Sequence, residues 1–407
     1  KKFAKNNVIC CRKIITTITK AFINFNFNMS TFSHKKIGIL GGGQLGRMLL
    51  QKAIDFDLNV YVLDPDPTAP CKLITPNFVK GDFKNFDDVY HFGKKLDLIT
   101  IEIENVNVDA LKKLQQEGKE VYPSPEIIEL IQDKGLQKIF YQKNGIPTAD
   151  FFLVENKQQI EKYLDYLPFF QKIRKGGYDG KGVRKITNKQ HLDNAFDSPS
   201  VLERMAEVEK EISVIVARNM SGEMACFPAV ESVFNPQAHL VDYLLCPASI
   251  PEKIIEQAEQ IAKRIAEHLQ LVGVLAVEYF YTKDRKLLVN EMAPRVHNSG
   301  HHTIEACVTS QFEQHWRSIL NFPLGDTSLI RPAVMVNLLG SEGFEGNALY
   351  VGIENILKYS GVYPHLYGKK QVKAFRKMGH ITITDKTITA ALKKAQKIKE
   401  MIQVTAL

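Results

Sequence analysis

Residues 273–302 read GVLAVEYFYTKDRKLLVNEMAPRVHNSGHH. The pattern predicts an apolar strand, a polar turn at residues 282–285, a second apolar strand and a loop crowded with polar side chains. A turn centred between Asp284 and Arg285 places Glu278 opposite Glu291 in an antiparallel hairpin. Facing carboxylates repel each other unless a cation lies between them, and Mg²⁺ suits such hard oxygen ligands. The hairpin therefore predicts a nucleoside triphosphate site, although a solvated sheet face would explain either glutamate alone.

Composition and charge limit the class of protein. The chain has 407 residues, of which 44% are hydrophobic and 24% charged, and this predicts a globular protein of two or three domains. No apolar run reaches the roughly 18 residues of a membrane helix, so we predict no membrane contact. The formal net charge is +8, but residues 1–28 contain six Lys and Arg residues and no acid, which leaves +2 for the rest. A nearly neutral globular part argues against nucleic acid as a partner.

Residues 1–28 are rich in Asn, Phe, Ile, Thr and Lys, and we expect a leader or an upstream-translated segment that is disordered and lies outside the fold. An organelle transit peptide is the alternative, although such peptides favour Arg over Lys. The six cysteines show no metal-binding spacing. Idle thiols fit a reducing compartment, and we predict the cytoplasm.

Strands and helices alternate from Lys36 onward, which predicts a Rossmann-like domain with a parallel sheet over residues 29–135. A mixed α+β unit is expected over residues 136–330, with a small lobe at about 148–217. Short strands and a final helix predict a small β-rich domain over residues 331–407.

Two glycine-rich stretches suggest phosphate contacts. Gly41, Gly43 and Gly46 form G-x-G-x-x-G between a strand and a helix, and Asp64 follows at the spacing of a nicotinamide oxidoreductase. Nothing downstream resembles a hydride-transfer site, and a tight strand-to-helix turn explains the same glycines. Lys172 precedes the second stretch, residues 176–182, which we interpret as a mobile flap over phosphates and not merely a flexible hairpin tip.

Residues 290–302 contain more polar side chains than packing requires. Arg295 beside a γ-phosphate suits the charge that develops during phosphoryl transfer. His297 and His301 are predicted to touch substrate, whereas His302 is predicted to be structural.

The blocks GGGQLGRM, YPSP, KGGYDGKG, VNEMAPRVHNSGHHT and RKMGH occur in this order. Over about residues 36–400 they resemble the ATP-grasp superfamily, and within it the 5-(carboxyamino)imidazole ribonucleotide synthetases of purine biosynthesis. The resemblance implies an ATP-grasp fold over residues 136–330 between a Rossmann-like domain and a C-terminal domain. It implies an enzyme that forms carboxyphosphate from ATP and bicarbonate and carboxylates the exocyclic amine of aminoimidazole ribonucleotide. It also implies Mg²⁺ as the cofactor and a homodimer.

The resemblance also implies roles for individual residues. The ATP contacts it implies are Lys134, Lys172, Gly177, Tyr178, Asp179, Gly180, Lys181, Gly182, Glu203, Arg204, Met205, Ala206, Glu211, Glu231, Asn290 and Glu291. The metal ligands are Glu278 and Glu291, and the catalytic residues are Arg295, His297, Tyr178 and Asp179. The ribonucleotide contacts are Gly43, Gln44, Leu45, Glu104, Asn298, Ser299, Lys369, Arg376 and Lys377.

Two departures accompany the resemblance. Lys134 stands where relatives often have arginine, and residues 232–243 differ from the family loop in length and residue type. Two other functions stay open: an ATP-grasp ligase with another acyl phosphate, such as formyl phosphate, and a non-catalytic nucleotide-binding regulator. The intact carboxylate pair, Lys172 and Arg295 favour an enzyme.

Overall fold

The computed structural model describes residue 32 and residues 34–177, 182–234 and 241–407. The predictions for residues 1–28 and for Tyr178, Asp179, Gly180 and Lys181 lie outside these ranges. Within them, no helix is both long and apolar enough to cross a bilayer.

The N-terminal part is a five-stranded parallel sheet in the order β3-β2-β1-β4-β5. Its β1 and β4 are almost wholly buried, as expected for a parallel sheet that is covered on both faces. The predicted Rossmann-like architecture is confirmed. The elements are β1 (Lys36–Leu40), α1 (Gln44–Asp55), β2 (Asn59–Asp64), β3 (Phe78–Lys80), α2 (Phe86–Gly93), β4 (Leu98–Ile101), α3 (Val108–Gln116) and β5 (Glu120–Val121).

Two short helices follow, α4 (Pro125–Gln132) and α5 (Lys134–Lys143). The break lies at Asp133, whose backbone is extended and whose carboxylate accepts a hydrogen bond of 2.8 Å from the amide of Gly135. An aspartate in this position caps the second helix, which explains why the helical pattern continues through two separate helices.

A four-stranded antiparallel sheet in the order β6-β9-β7-β8 forms the small lobe. Its strands are β6 (Phe151–Val154), β7 (Phe169–Ile173), β8 (Val183–Ile186) and β9 (Ser200–Arg204). The predicted extent of this lobe, to about residue 217, is wrong. The next strand, Val208–Arg218, pairs along its length with Gly273–Thr282 in a different sheet. The apolar pattern of residues 208–218 is compatible with a strand of either sheet, so the sequence alone does not show to which sheet this strand belongs.

The larger sheet has nine strands and is continuous from the centre of the chain into the C-terminal part. Eight strands follow the order β15-β14-β10-β12-β13-β16-β20-β18, and β11 pairs with β10. A separate three-stranded sheet has the order β19-β17-β21. The elements are β10 (Val208–Arg218), β11 (Met224–Cys226), β12 (Val230–Phe234), β13 (Val241–Cys246), α6 (Glu252–His268), β14 (Gly273–Thr282), β15 (Leu287–Ala293), α7 (Thr303–Ala306), α8 (Gln311–Ile319), β16 (Ala333–Leu339), β17 (Gly346–Val351), α9 (Ile353–Ile356), β18 (Val362–Leu366), β19 (Gln371–Val372), β20 (Lys377–Thr384), α10 (Ile388–Met401) and β21 (Gln403–Ala406).

Helix α8 fixes the N-terminal domain against the larger sheet. The indole of Trp316 donates a hydrogen bond of 2.9 Å to the carbonyl of Leu49 in α1, and His315 Nε2 lies 2.9 Å from Thr100 Oγ1 in β4. Both side chains are fully buried in a core shared by the two parts. The carboxyl end of β4 is therefore held in a defined place beside the β14–β15 hairpin.

Replacing His315 by Gln should reduce the acid sensitivity of the fold. Burial lowers the pKa of His315 to about 4, whereas an unfolded histidine titrates near 6.5. The unfolded chain therefore takes up a proton first, so the free energy of unfolding is highest above pH 6.5 and falls as the pH drops toward 4. Between pH 6.5 and 5 the imidazole accounts for about 2 kcal/mol of that loss. Urea unfolding of His315→Gln at pH 7 and pH 5 should show the loss reduced by this amount.

The exposed His268 provides the matched control. His268→Gln should keep the pH dependence of the unmodified chain. An unchanged pH dependence in His315→Gln would show that this imidazole does not sense pH through the fold.

Candidate active site

Glu278 on β14 pairs with Glu291 on β15, as the sequence predicted, but the register of the hairpin near its turn differs from the predicted one. Near the turn Tyr281 pairs with Leu287, so the hairpin is centred on Asp284 and is one residue out of the predicted register. A β-bulge between the pairs Tyr279–Val289 and Glu278–Glu291 corrects the offset. The extra residue in the bulge is Asn290.

The bulge puts two polar side chains on one face of β15. Val289 and Met292 are buried in the core beneath α6. Asn290 and Glu291, between them, are both partly exposed. Regular alternation would send one of the two into the apolar core, whereas the bulge leaves both facing the cleft.

Two lysines, one from α5 and one from β7, converge on this face. Lys134 Nζ, at the start of α5, lies 2.7 Å from Glu291 Oε2. Lys172 Nζ, on β7, donates to Asn290 Oδ1 at 3.1 Å and lies 2.6 Å from Glu203 Oε1 on β9. Lys134 lowers the pKa of Glu291 well below its usual range, with Lys172 contributing. The cluster joins both lobes around one set of charges.

The partner carboxylate, Glu278, is affected in the opposite direction. Its shielded position in the cleft raises its pKa, and the charges of Glu291 and Glu211 add to the effect. Burial likewise raises the pKa of Glu211 to about 7. The negative charges of these carboxylates are not fully compensated by neighbouring cations, and a bound divalent cation would compensate them.

The donor set fits Mg²⁺ better than a transition metal. The facing side chains of Glu278 and Glu291 offer only carboxylate oxygens, which are hard ligands. Among residues 34–177, 182–234 and 241–407, no group of three or more His, Cys, Asp and Glu side chains has the geometry of a metal site. Two protein ligands are enough for Mg²⁺, which takes its remaining ligands from water and phosphate oxygens.

Arg295 lies between the hairpin and the N-terminal sheet. Its Nη2 is 2.8 Å from Glu104 Oε1, just beyond the carboxyl end of β4, and its Nη1 donates to the carbonyl of Val296 at 3.0 Å. Burial opposes its charge, but Glu104 more than compensates and raises the pKa of Arg295. The buried Nε has no hydrogen-bond partner among the described residues. Ligands of α/β folds bind at the carboxyl ends of the strands, where Arg295 and Glu104 meet.

The sequence matches three domain families in succession. They are a ribonucleotide synthetase preATP-grasp domain at residues 34–132, an ATP-grasp domain at 139–312, and a phosphoribosylaminoimidazole carboxylase C-terminal domain at 333–394. The N5-carboxyaminoimidazole ribonucleotide synthase of Bacillus subtilis is 37% identical over 352 residues, covering 85% of this chain and 90% of that protein. The chain belongs to the N5-carboxyaminoimidazole ribonucleotide synthase family. It is thus an ATP-grasp ligase.

Some relatives are longer than this chain. The chloroplastic phosphoribosylaminoimidazole carboxylase of Vigna aconitifolia is 37% identical over 366 residues, covering 87% of this chain. This chain spans only 65% of the length of that relative.

Solved structures of N5-carboxyaminoimidazole ribonucleotide synthases share the whole fold. The Thermotoga maritima enzyme superposes with a TM-score of 0.85 at 44% identity, covering 92% of this chain and all of that one. The Aspergillus clavatus enzyme, in complex with ADP and 5-aminoimidazole ribonucleotide, has a TM-score of 0.82 at 31% identity, covering 91% of this chain and 99% of the other.

Most site residues that the family resemblance implied lie around one cleft. The metal, phosphate and transfer residues are linked by hydrogen bonds, ion pairs and charge interactions; they are Lys134, Lys172, Glu203, Glu211, Glu278, Asn290, Glu291, Arg295, His297 and Glu104. Gly177 and Gly182 border the undescribed residues 178–181. Arg204, Met205 and Ala206 connect β9 to β10, and Glu231 on β12 lies 2.9 Å from Lys210.

Three predicted contacts need correction. The side chain of Leu45 is buried in the core of the N-terminal domain, so only its backbone can meet a ligand. Ser299 is buried, and its Oγ lies 2.9 Å from His297 Nδ1 and 3.0 Å from Ser213 Oγ, so it orients His297. His301 is 1% exposed and packs against the ring of His380 at 4.6 Å, so it does not face the cleft.

Asn298 is held by a residue that sequence reasoning missed. It exchanges two amide hydrogen bonds, of 3.0 and 3.3 Å, with Asn337 on β16. Asn337 also donates to the carbonyl of Val241 at 2.9 Å. No sequence signal links the two asparagines, which lie 39 positions apart, one in the loop after β15 and the other on β16.

Lys138 is a second residue that the sequence analysis missed. It is buried in α5, forms an ion pair with Glu203, and donates a hydrogen bond of 2.6 Å to Thr148 Oγ1. Glu203 thus forms ion pairs with two lysines, Lys138 and Lys172. One negative charge neutralises only one of the two, so the group has a net charge of +1 beside the cleft. The spacing of Lys134 and Lys138 was the available signal, because residues four apart share one face of a helix.

Replacing Lys138 by Met should weaken ATP binding. Glu203 would then neutralise Lys172 alone, and the surplus positive charge that attracts phosphates would be gone. We expect KM for ATP to rise about tenfold, equivalent to roughly 1.4 kcal/mol, with a smaller change in kcat. Steady-state ADP release at varied ATP measures the effect.

Lys143, exposed at the end of the same helix, is the matched control. Lys143→Met should keep KM for ATP unchanged. Equal KM values for both variants would exclude an electrostatic role for Lys138.

Proposed function

We propose that the cleft catalyses the ATP-dependent carboxylation of 5-aminoimidazole ribonucleotide, with bicarbonate as the source of carbon and carboxyphosphate as the intermediate. The products are N5-carboxyaminoimidazole ribonucleotide, ADP and phosphate, in the biosynthesis of purines. The observation that carries the proposal is the pairing of Glu278 with Glu291 beneath Lys134, Lys172 and Arg295. Such a group of charges suits the transfer of a γ-phosphoryl group.

The ends of ATP are assigned to different sides of the cleft. Glu278 and Glu291 would hold Mg²⁺, which when bound offsets charge on the phosphates. Lys134 and Lys172 are assigned to the same oxygens, and the sequence pattern assigns the glycine-rich stretch 177–182 to them as well. The adenosine side is assigned to the end of β9, the residues that follow it, and one acid each on β10 and β12. These residues are Glu203, Arg204, Met205, Ala206, Glu211 and Glu231.

Arg295 is assigned to the transfer step. It holds bicarbonate and stabilises the charge that spreads over the phosphoryl oxygens as they leave ADP. His297 beside it is neutral, because burial and the charge of Arg295 lower its pKa to about 3. A neutral imidazole whose Nε2 lies 3.6 Å from Glu278 orients the reacting groups through hydrogen bonds and carries no charge of its own.

The ribonucleotide is assigned to the space between the glycine turn and the C-terminal strands. Glu104, Asn298 and the backbone of residues 43–45 face it from one side. The positive charge of Lys377 acts on both Glu278 and His297, and that of Arg376 acts on Asp66 beside the turn. With Lys369, these cations would bind the ribonucleotide phosphate.

The proposal extends to the quaternary structure and the compartment. A homodimer follows from the family resemblance. The cysteines Cys71, Cys226, Cys246 and Cys307 are unpaired, which supports a reducing compartment such as the cytoplasm. Domain boundaries near residues 135 and 330 are proposed as well.

Steady-state ADP release tests the reaction. With ATP and 5-aminoimidazole ribonucleotide present, bicarbonate should stimulate ADP formation and formate should not. Stimulation by formate would point to an enzyme with another acyl phosphate. Nucleotide binding without any ADP release would instead support a regulator and overturn the proposal.

A further inference from the structure

The turn between β1 and α1 is bound by two carboxylates of the protein itself. The amides of Gly43 and Gly46 donate to Glu102 Oε1 and Oε2, each at 2.9 Å. The amide of Gly42 donates to Asp64 Oδ2 at 2.6 Å. Glu102 is 9% exposed and lies at the carboxyl end of β4.

The glycines of this turn make room for the Glu102 side chain. A methyl group on Gly43 would lie 2.7 Å from Glu102 Oε1, and one on Gly41 would lie 2.5 Å from Glu102 Cγ. Gly41 also has a φ of +100°, which side chains rarely adopt. G-x-G-x-x-G in this chain therefore encloses a carboxylate, whereas in dinucleotide-binding domains it allows a phosphate to approach.

Glu102 takes the place that an anion would otherwise use. The first amides of a helix point outward and carry partial positive charge, so they favour a negative group. Here the negative group is the protein's own, and Asp64 adds a second acid on the adjacent amide. A ligand phosphate at this end of α1 would meet two carboxylates at close range. The same observation argues against a nicotinamide oxidoreductase, because the Asp64 carboxylate accepts a hydrogen bond from the turn and is not free to bind the ribose of a dinucleotide.

Positive charge is found instead on the opposite side, toward the C-terminal part. A methyl group on Gly368 would lie 3.1 Å from Arg47 Nη1, so this guanidinium of α1 lies beside the loop after β18. Arg376 lies close enough to contribute to a lowered pKa of Asp66, after hydrogen bonds from Thr68. A ribonucleotide that spanned this space would place its phosphate at the arginines and its uncharged ribose and ring at the turn.

We propose that Glu102 is a positioning residue that selects how the ribonucleotide binds: it holds the turn in shape for the uncharged part of the substrate and bars its phosphate from the N-terminus of α1. This inference rests on the proposed function, since it concerns the same substrate. The expected consequence is selection for a ribonucleotide monophosphate over ligands that place a pyrophosphate on the turn.

Kinetics of Glu102→Gln and Glu102→Ala test the inference. Both should raise KM for 5-aminoimidazole ribonucleotide by about tenfold or more, the effect of losing one or two hydrogen bonds to a charged group. KM for ATP and bicarbonate-stimulated kcat should change less than about threefold, a split that general misfolding would not give. In Glu102→Ala, inorganic phosphate should also become a stronger competitor of the ribonucleotide by about tenfold, because the freed amides can donate hydrogen bonds to it.

Unchanged KM for the ribonucleotide in folded variants, or unchanged inhibition by phosphate in Glu102→Ala, would refute the role of Glu102. A second measurement does not depend on these variants. In the unmodified enzyme, inorganic phosphate should compete with the ribonucleotide, and Arg376→Gln should weaken this competition by about tenfold. Undiminished competition in Arg376→Gln would place the phosphate elsewhere and overturn the inference. Absence of any turnover by the unmodified enzyme would refute the proposed function instead.

Discussion

Glu291→Gln should abolish bicarbonate-dependent ADP formation. The amide has the shape of the carboxylate, but it removes one of two facing charges that would hold Mg²⁺, and it removes the partner of Lys134 at 2.7 Å. A metal ion supplies several kcal/mol of transition-state stabilisation, so we expect kcat/KM to fall by at least about 10³-fold. Steady-state ADP release measures the loss, and Mn²⁺ titration should show weakened metal binding in the variant.

The fold of this variant should persist, because relieved repulsion between Glu278 and Glu291 offsets part of the lost ion pair with Lys134. Its thermal midpoint should stay within a few degrees of that of the unmodified chain. Glu207→Gln, at an exposed carboxylate just before β10, is the matched control and should retain full activity. Normal turnover by Glu291→Gln would remove the basis for the metal assignment.

Arg295→Met should lower kcat by about 10³-fold while KM for ATP stays within a few-fold. The guanidinium keeps its positive charge next to Glu104, and it lies near the face where the γ-phosphoryl group is assigned. Arg295→Lys should give an intermediate kcat, because lysine retains the charge and loses the forked geometry. Single-turnover ADP formation separates the transfer step from product release.

Arg218, at the opposite end of β10, is the control for this pair of variants. It donates a hydrogen bond of 2.9 Å to the carbonyl of Leu271, away from the cleft. Arg218→Met should leave kcat unchanged. A kcat for Arg295→Met equal to that of Arg218→Met would exclude a part for Arg295 in phosphoryl transfer.

The sequence predicted the fold class and the pairing of Glu278 with Glu291, because strand patterns and turn residues act locally. It did not predict the bulge at Asn290, because alternation of apolar and polar residues gives no sign of one inserted position. The predicted turn was one residue off, and the bulge offset this error. The predicted pairing of Glu278 with Glu291 was therefore correct, although the predicted register between the bulge and the turn was wrong.

Residues that act through distant contacts were the ones that sequence reasoning missed or misplaced. Glu102 meets a turn that lies 56 to 59 positions earlier in the chain, and Asn337 meets Asn298 from 39 positions away. Lys138 reads as an ordinary helical lysine until β9 brings Glu203 against it. His301 has the chemistry of a substrate contact, and only its packing against His380 shows that it faces inward.

The ladder between β13 and β16 fixes one distance in the reaction. Because Tyr243–Cys246 pairs with Ala333–Val336, the C-terminal strands extend the very sheet that bears Glu278. Swinging them outward would rupture backbone hydrogen bonds, so the separation between acceptor nucleotide and phosphoryl donor stays constant through the cycle. The four-stranded lobe is different, because in the described ranges its strands pair only with one another and not with the larger sheet. No strand pairing in the described ranges therefore opposes a hinge motion of this lobe.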